Sequence, residues 1–127
     1  MKQMKLENFQ KAVLRLAEGL DEYHAHPSTT ARDGVIQRFE FTFELAWKSL
    51  KVYLQDQGVG ADLQFPRQVL KEAYATKLID DQTVWIDMLT ARNTTSHIYD
   101  DRQATAVMAD IENRYLTALQ ALSALYA

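Results

Sequence analysis

Residues 30–57, TARDGVIQRFEFTFELAWKSLKVYLQDQ, form the longest and most apolar periodic stretch of the chain. Their apolar side chains recur three and four positions apart, which predicts an α-helix. One face carries Val35, Ile36, Phe39, Phe43, Trp47, Leu50 and Leu54, and a second face carries Phe41, Leu45 and Val52. Because a surface helix needs only one apolar face, the pattern predicts burial on both sides. Either the second face contacts another subunit, or this helix lies at the centre of a monomeric bundle.

The rest of the chain repeats the helical pattern on both sides of this stretch. Further helices are predicted over about residues 6–23 and 66–76, after Asp80 or Asp81 through Arg92, and after Asp100 or Asp101 through Tyr126. Their ends carry typical signals. Thr30 with Asp33 resembles a capping arrangement, and Gly58 fits the left-handed position after a helix. Pro66 suits a first turn, and the last two helices can be capped by Asp80 or Asp81 and by Asp100 or Asp101. The sequence therefore predicts an all-α fold, an up-and-down bundle of four to five helices in one domain, residues 1–127.

Composition narrows the classes of function. A net charge of −3 is unlike a protein that coats nucleic acid with a basic face, so any RNA contact should be local or shared with a partner. The absence of cysteine excludes disulfides and thiolate-metal sites, and favours the cytoplasm. The apolar runs are short and the N-terminus lacks a signal-peptide pattern, so no membrane segment or secretion is expected.

The segment Arg92-Asn93-Thr94-Thr95-Ser96-His97-Ile98-Tyr99 breaks the apolar periodicity. In an unbroken helix, Arg92 and His97 would point about 140° apart. They can converge only if the helix ends or bends between them, or if a second subunit supplies one of them. Because hydroxyl residues are poor inside helices, the run of Thr94, Thr95 and Ser96 favours a helix end here.

Two interpretations of this segment follow from residue chemistry. In the functional one, Arg92 binds a phosphate through its guanidinium fork and His97 transfers protons near neutral pH. Asn93 and Ser96 then position a ribose or a phosphate oxygen. In the structural one, the segment is a polar helix terminus, with His97 bonded to backbone carbonyls and Arg92 paired to Asp100 or Asp101.

Other polar residues have simpler structural explanations. His24 and His26 are interpreted as solvated loop residues rather than metal ligands. Glu40 and Glu44 are expected on a wet face or paired with Lys48 or Lys51, because a di-iron bundle would need Glu-x-x-His pairs that the chain lacks. Trp47 and Trp85 are predicted to lie in the core. The sequence predicts no metal site and no cofactor.

Three blocks of sequence resemble a known family. They are the helix-two block FEFTFELAWK at residues 39–48, the middle section FPR at 65–67 with LIDD at 78–81 and Trp85, and the motif of arginine, four residues, histidine, any residue and tyrosine at 92–99. Together they are spread over residues 39–99. The chain is similar to the HEPN superfamily, and within it to the HepT-like nucleotidyltransferase substrate-binding proteins.

The resemblance implies a homodimer in which the two arginine-histidine motifs face each other across a cleft. It also implies a metal-independent endoribonuclease with RNA as its substrate. His97 would act in general acid-base catalysis on the ribose 2′-hydroxyl, Arg92 would stabilise charge on the phosphate, and Asn93 would orient the pair. The product would carry a cyclic phosphate end.

The resemblance further implies a partner, a minimal nucleotidyltransferase. As the antitoxin of a toxin-antitoxin pair, this partner would inhibit the ribonuclease by transferring AMP to Tyr99. An older interpretation makes the helical protein a non-catalytic substrate-binding subunit of a two-component nucleotidyltransferase. A third hypothesis is a helical dimerisation module without a ligand.

Overall fold

The structure, a computed structural model, describes residues 2–60, 62–95, 97 and 100–127. All regular secondary structure in these residues is helical, which confirms the predicted all-α fold. The elements are α1 (Lys2–Ala25), α2 (Thr29–Asp56), α3 (Pro66–Ala75), α4 (Gln82–Thr95), α5 (Asp101–Asp110), a π-helical segment (Ile111–Tyr115) and α6 (Leu116–Tyr126). Within the described ranges, no helix is both long enough and apolar enough to span a bilayer.

Helix α2 is the central element, packed against α1, α3, α4 and α5. Its first predicted face is buried throughout, and both tryptophans lie in the core as predicted. Phe39 stacks on Tyr115 with ring centroids 5.3 Å apart, and Phe43 packs on Trp85 at 6.3 Å. The second face differs: Phe41 is 45% exposed, and Leu45 and Val52 are half-buried. The described part of the chain therefore leaves the second face of α2 partly uncovered.

Four of the predicted helix-end signals are confirmed, and Pro66 in the first turn of α3 is one of them. The Asp81 carboxylate accepts a hydrogen bond from the Val84 N–H at 3.2 Å, at the start of α4. Asp100 accepts from the Gln103 N–H at 2.8 Å and caps α5. Gly58 follows α2 with φ of +82°, a conformation that glycine adopts without steric cost.

The predicted cap of α2 at Thr30 and Asp33 is wrong. Ser28 is the N-cap residue, and its hydroxyl accepts the Ala31 N–H at 3.0 Å. Ser28 has the extended backbone that lets a capping side chain reach back to the first turn, whereas Thr30 is already inside the helix. Asp33 instead accepts from Arg32 Nε at 3.1 Å.

Helix α1 extends further than predicted, which changes the assignment of His24. This residue lies in the last turn of α1, not in a loop, and its Nε2 is 2.6 Å from a Glu112 carboxylate oxygen. The contact joins α1 to the π-helical segment. His26 lies just beyond the helix and is exposed, as expected.

The predicted final helix contains a wider turn that the sequence pattern did not reveal. Residues 111–115 adopt π-helical hydrogen bonding between α5 and α6. Ile111 and Tyr115 remain buried through this turn, and Arg114 forms an ion pair of 2.6 Å with Asp87 of α4. Apolar spacing alone cannot reveal a π turn, because the buried positions Met108, Ile111, Tyr115 and Leu119 keep ordinary intervals of three and four.

Candidate functional site

The polar segment lies at the C-terminal end of α4. Arg92 and Asn93 are in the last helical turn, and α4 ends at Thr95, so the predicted helix end between Arg92 and His97 is confirmed. His97 follows in a turn, where its N–H donates to the Thr94 carbonyl at 2.9 Å. The residue is exposed. Ser96 and Tyr99, predicted to bind substrate and to accept AMP, lie outside the described residues.

Arg92 is held by two side chains. Its Nη2 donates to a Glu44 carboxylate oxygen of α2, and its Nη1 donates to Asn93 Oδ1 at 2.9 Å. The side chains of Arg92 and Glu44 are 29% and 31% exposed, so the ion pair lies at the surface between α2 and α4. Arg92 and Asn93 are thus brought together, as the functional interpretation requires.

The ion pair corrects the structural interpretation, in which Arg92 was expected to bind Asp100 or Asp101. Asp100 caps α5, and Asp101 lies 3.2 Å from Arg32 Nη1. Arg92 pairs with Glu44 because α2 crosses α4 at this point. Both aspartates instead belong to the start of the next helix. An acidic partner 48 residues away replaces the one expected nearby.

Glu44 carries a second cation. Lys48 Nζ lies 3.4 Å from its other carboxylate oxygen, one helical turn away, as the spacing predicts. Partial burial by itself would raise the pKa of Glu44, but Arg92, followed by Trp47 and Lys48, outweighs burial and holds that pKa below its ordinary value. The Trp47 indole N–H lies near enough to contribute, although its geometry falls short of a hydrogen bond and its Nε1 has no hydrogen-bond partner among the described residues. Glu44 is therefore a carboxylate at neutral pH.

A second contact joins the same two helices one turn away. The Thr95 hydroxyl, on the last residue of α4, is 2.8 Å from a Glu40 carboxylate oxygen. Thr95 is buried, whereas Glu40 is half-buried. These residues line a cavity of about 220 Å³ together with Asp33 and Ile36. A larger cavity of about 410 Å³, between α3 and the following loop, contains no residue of the motif.

Sequence reasoning missed the roles of Glu40 and Glu44. It placed them on a wet face or with lysines, and only the Lys48 contact is present. The sequence did indicate that these residues contact another helix, since two carboxylates one turn apart on the central helix must face some neighbouring helix. The chain does not show which neighbour, because their partners lie 48 and 55 residues away.

Among the residues that the structure describes, no three His, Asp or Glu side chains gather in a way that could hold a metal ion. The chemistry available at the end of α4 is that of an arginine, an amide, hydroxyls and an imidazole. These groups can bind a phosphate and transfer protons.

Comparison with known proteins shows the family of this chain. The model of the family described as nucleotidyltransferase substrate binding protein like matches residues 4–125. A Haemophilus influenzae protein named probable ribonuclease HepT is 39% identical over 83 residues, which are 63% of this chain and 57% of that protein. The chain thus spans somewhat over half the length of this curated relative.

Two solved structures share the fold. HI0074 from Haemophilus influenzae, described as the fold of a substrate binding domain of a nucleotidyltransferase, superposes with a TM-score of 0.84 and 30% identity. The match covers 95% of this chain and 98% of HI0074. A Thermus thermophilus protein superposes with a TM-score of 0.74 and 26% identity, over 99% and 98% of the two chains.

Proposed function

Because this chain belongs to the nucleotidyltransferase substrate binding protein like family, we propose that it is a HEPN-type ribonuclease, the toxin of a pair whose antitoxin is a minimal nucleotidyltransferase. The observation that carries the proposal is the anchored guanidinium of Arg92, one turn before the exposed His97 at the end of α4. The name of the Haemophilus influenzae relative, probable ribonuclease HepT, supports the same activity.

In the proposed reaction, a ribose 2′-hydroxyl attacks the adjacent phosphorus. His97 removes the proton of that hydroxyl, and the bond from phosphorus to the 5′ oxygen of the next nucleotide breaks. A second imidazole, from the His97 of a second copy of the chain, returns a proton to the leaving oxygen. The products are a 2′,3′-cyclic phosphate and a free 5′-hydroxyl.

Arg92 supplies electrostatic stabilisation in this scheme. The negative charge on the phosphate oxygens grows in the transition state, and a fixed guanidinium binds that charge without reorganising. Asn93, which accepts a hydrogen bond from Arg92, orients it. Ser96 is assigned to binding of the same phosphate, and Tyr99 is assigned as the acceptor of AMP from the partner enzyme.

A homodimer is part of the proposal, because one protomer supplies a single copy of the motif. The partly uncovered second face of α2, with Phe41, Leu45 and Val52, is the surface we assign to the contact. It is continuous with Glu44 and Lys48 on the same helix, and therefore lies beside Arg92.

The test is cleavage of purified transfer RNA and messenger RNA with EDTA present. Wild type should cleave, and His97→Ala should not. His26→Ala, which removes an exposed histidine beyond α1, should cleave like wild type and controls for loss of any imidazole. Cleavage by wild type and His97→Ala alike would refute the assignment of His97.

The second candidate is a non-catalytic substrate-binding subunit of a two-component nucleotidyltransferase. It is favoured by the near full-length superposition on HI0074, which is described in those terms. Failure of folded wild-type protein to cleave any RNA would favour this candidate. The next measurement would then be nucleotide transfer by the partner enzyme, with and without this chain.

A further inference from the structure

The bonds that hold Arg92 leave part of its guanidinium available. An arginine side chain has five N–H donors, and the bonds to Glu44 and Asn93 use two of them, which leaves three outside these contacts. Two N–H groups are enough for a bidentate bond to a phosphate. Glu44 can therefore fix the guanidinium without preventing phosphate binding.

Glu44 is itself fixed in place. Lys48 contacts one carboxylate oxygen and Arg92 contacts the other. The side chain is about two-thirds covered, so it has little freedom to rotate away. The Glu44 carboxylate on α2 is thus held in a fixed position, from which it bonds Arg92 on α4.

A purely structural tie between α2 and α4 is the simpler explanation of the ion pair. However, the bond from Thr95 to Glu40 already joins these helices one turn away, and it is less exposed. Surface ion pairs add little stability, about 0 to 1 kcal/mol. The Glu44 contact differs from the Glu40 contact in that it holds the arginine of the motif.

From these contacts we infer that Glu44 is a positioning residue, which aims the remaining N–H groups of Arg92 at the phosphate of a bound RNA. This inference deepens the proposed function and rests on it. Glu44 does not touch the substrate in this arrangement. It acts through Arg92, and its effect should appear in the chemical step.

The charges give an unusual kinetic expectation. Replacing Glu44 with glutamine leaves Arg92 and Lys48 without their shared anion, so the surface becomes more positive and attracts RNA more strongly. KM should stay constant or fall. Meanwhile Arg92 loses its alignment, and kcat should fall by roughly tenfold or more, because small misplacements of a catalytic group are costly.

The kinetic experiment compares wild type, Glu44→Gln, Glu44→Asp and Glu18→Gln on one RNA at fixed ionic strength. Glu18→Gln removes an exposed carboxylate from α1 and should match wild type. Glu44→Asp keeps the charge and should restore part of kcat. A wild-type kcat in Glu44→Gln would overturn the inference. So would equal losses of kcat in Glu44→Gln and Glu44→Asp that follow a loss of thermal stability.

A second measurement does not depend on cleavage. The Nε–H signal of Arg92 can be followed by ¹⁵N NMR and assigned by its loss in Arg92→Lys. It should move in Glu44→Gln but not in Glu18→Gln. Addition of a 2′-deoxy oligonucleotide, which cannot be cleaved, should shift this signal in wild type and shift it less in Glu44→Gln.

The two measurements separate the possible failures. If wild type cleaves no RNA but the NMR responses occur, the ribonuclease proposal fails and the positioning of Arg92 by Glu44 for phosphate binding stands. If the Arg92 signal is the same in wild type and Glu44→Gln, the positioning role is overturned even when RNA is cleaved.

Discussion

The Thr95 hydroxyl lies 2.8 Å from the Glu40 carboxylate and 3.0 Å from the backbone carbonyl of Arg92. Its single hydrogen favours the carboxylate, because hydrogen bonds to charged acceptors are the stronger ones. The last residue of α4 is thereby fixed to the central helix just before His97. We expect this contact to stabilise the end of α4.

Thr95→Val should test this contact, because valine keeps the shape and removes the hydroxyl. We expect the free energy of unfolding to fall by about 1 to 3 kcal/mol, since Glu40 loses its bond in a half-buried position. RNA cleavage should fall as well. Urea denaturation and cleavage assays would measure the two effects.

Thr94→Val is the matched control for this prediction. The Thr94 hydroxyl is exposed and bonds only to carbonyls of its own helix, Thr90 and Ala91, among the bonds the structure describes. Its loss should change the free energy of unfolding by less than about 0.5 kcal/mol. Equal stability of the two variants would show that the bond to Glu40 does not hold the end of α4.

Phe41→Glu should convert the proposed dimer to a monomer. A carboxylate on the second face of α2 would be buried in the contact without a partner. Sedimentation velocity at several concentrations would measure the change. Leu14→Glu alters a residue that is 64% exposed on α1 and should remain dimeric. A dimeric Phe41→Glu protein would place the interface elsewhere.

Tyr99→Phe should prevent AMP transfer by the partner nucleotidyltransferase, because the acceptor hydroxyl is removed. Tyr74→Phe, which changes a tyrosine that is 46% exposed on α3, should still be modified. Mass spectrometry after incubation with ATP would locate the product. Modification of Tyr99→Phe at another residue would refute the assigned acceptor.

Tyr126 should make the protein sensitive to alkali. Its partly buried hydroxyl is 2.9 Å from Ser49 Oγ, and burial raises the pKa of the phenol despite the opposing effect of this bond. Above about pH 10 the unfolded chain loses this proton and the folded chain keeps it, so the free energy of unfolding falls as pH rises. The slope from this one group approaches about 1.4 kcal/mol per pH unit.

Tyr126→Phe removes that titration. Its free energy of unfolding should fall less steeply above pH 10 than that of wild type, as measured by urea denaturation at a series of pH values. At neutral pH the variant should be less stable, because Ser49 loses a partner. Identical slopes in the two proteins would contradict the role given to Tyr126.

Much of the fold follows from local pattern in the sequence. The buried face of α2 follows from apolar spacing, because side chains three and four apart must share a side of a helix. Asp81, Asp100 and Gly58 mark helix ends through contacts within a few residues. The cap of α2 was misplaced because two plausible capping residues, Ser28 and Thr30, lie close together, and only the backbone conformation selects Ser28.

At the site, only the features that depend on local sequence could be predicted. The helix end before His97 follows from the hydroxyl-rich segment itself. The partners Glu44 and Glu40 belong to another helix, and their contacts depend on how α2 and α4 cross. Tertiary packing determines how the two helices cross, and the spacing of residues along the chain does not predict it.

The Trp47 indole is buried beside the Glu44 carboxylate, and its N–H falls short of a hydrogen bond. Its intrinsic fluorescence should therefore report on the site. Indole emission depends on nearby charge, so a phosphate that binds to Arg92 while Glu44 holds it should alter the fluorescence of Trp47. Replacing the other tryptophan, Trp85, with phenylalanine would leave Trp47 as the single emitter. Occupancy of the site could then be followed in real time without a label.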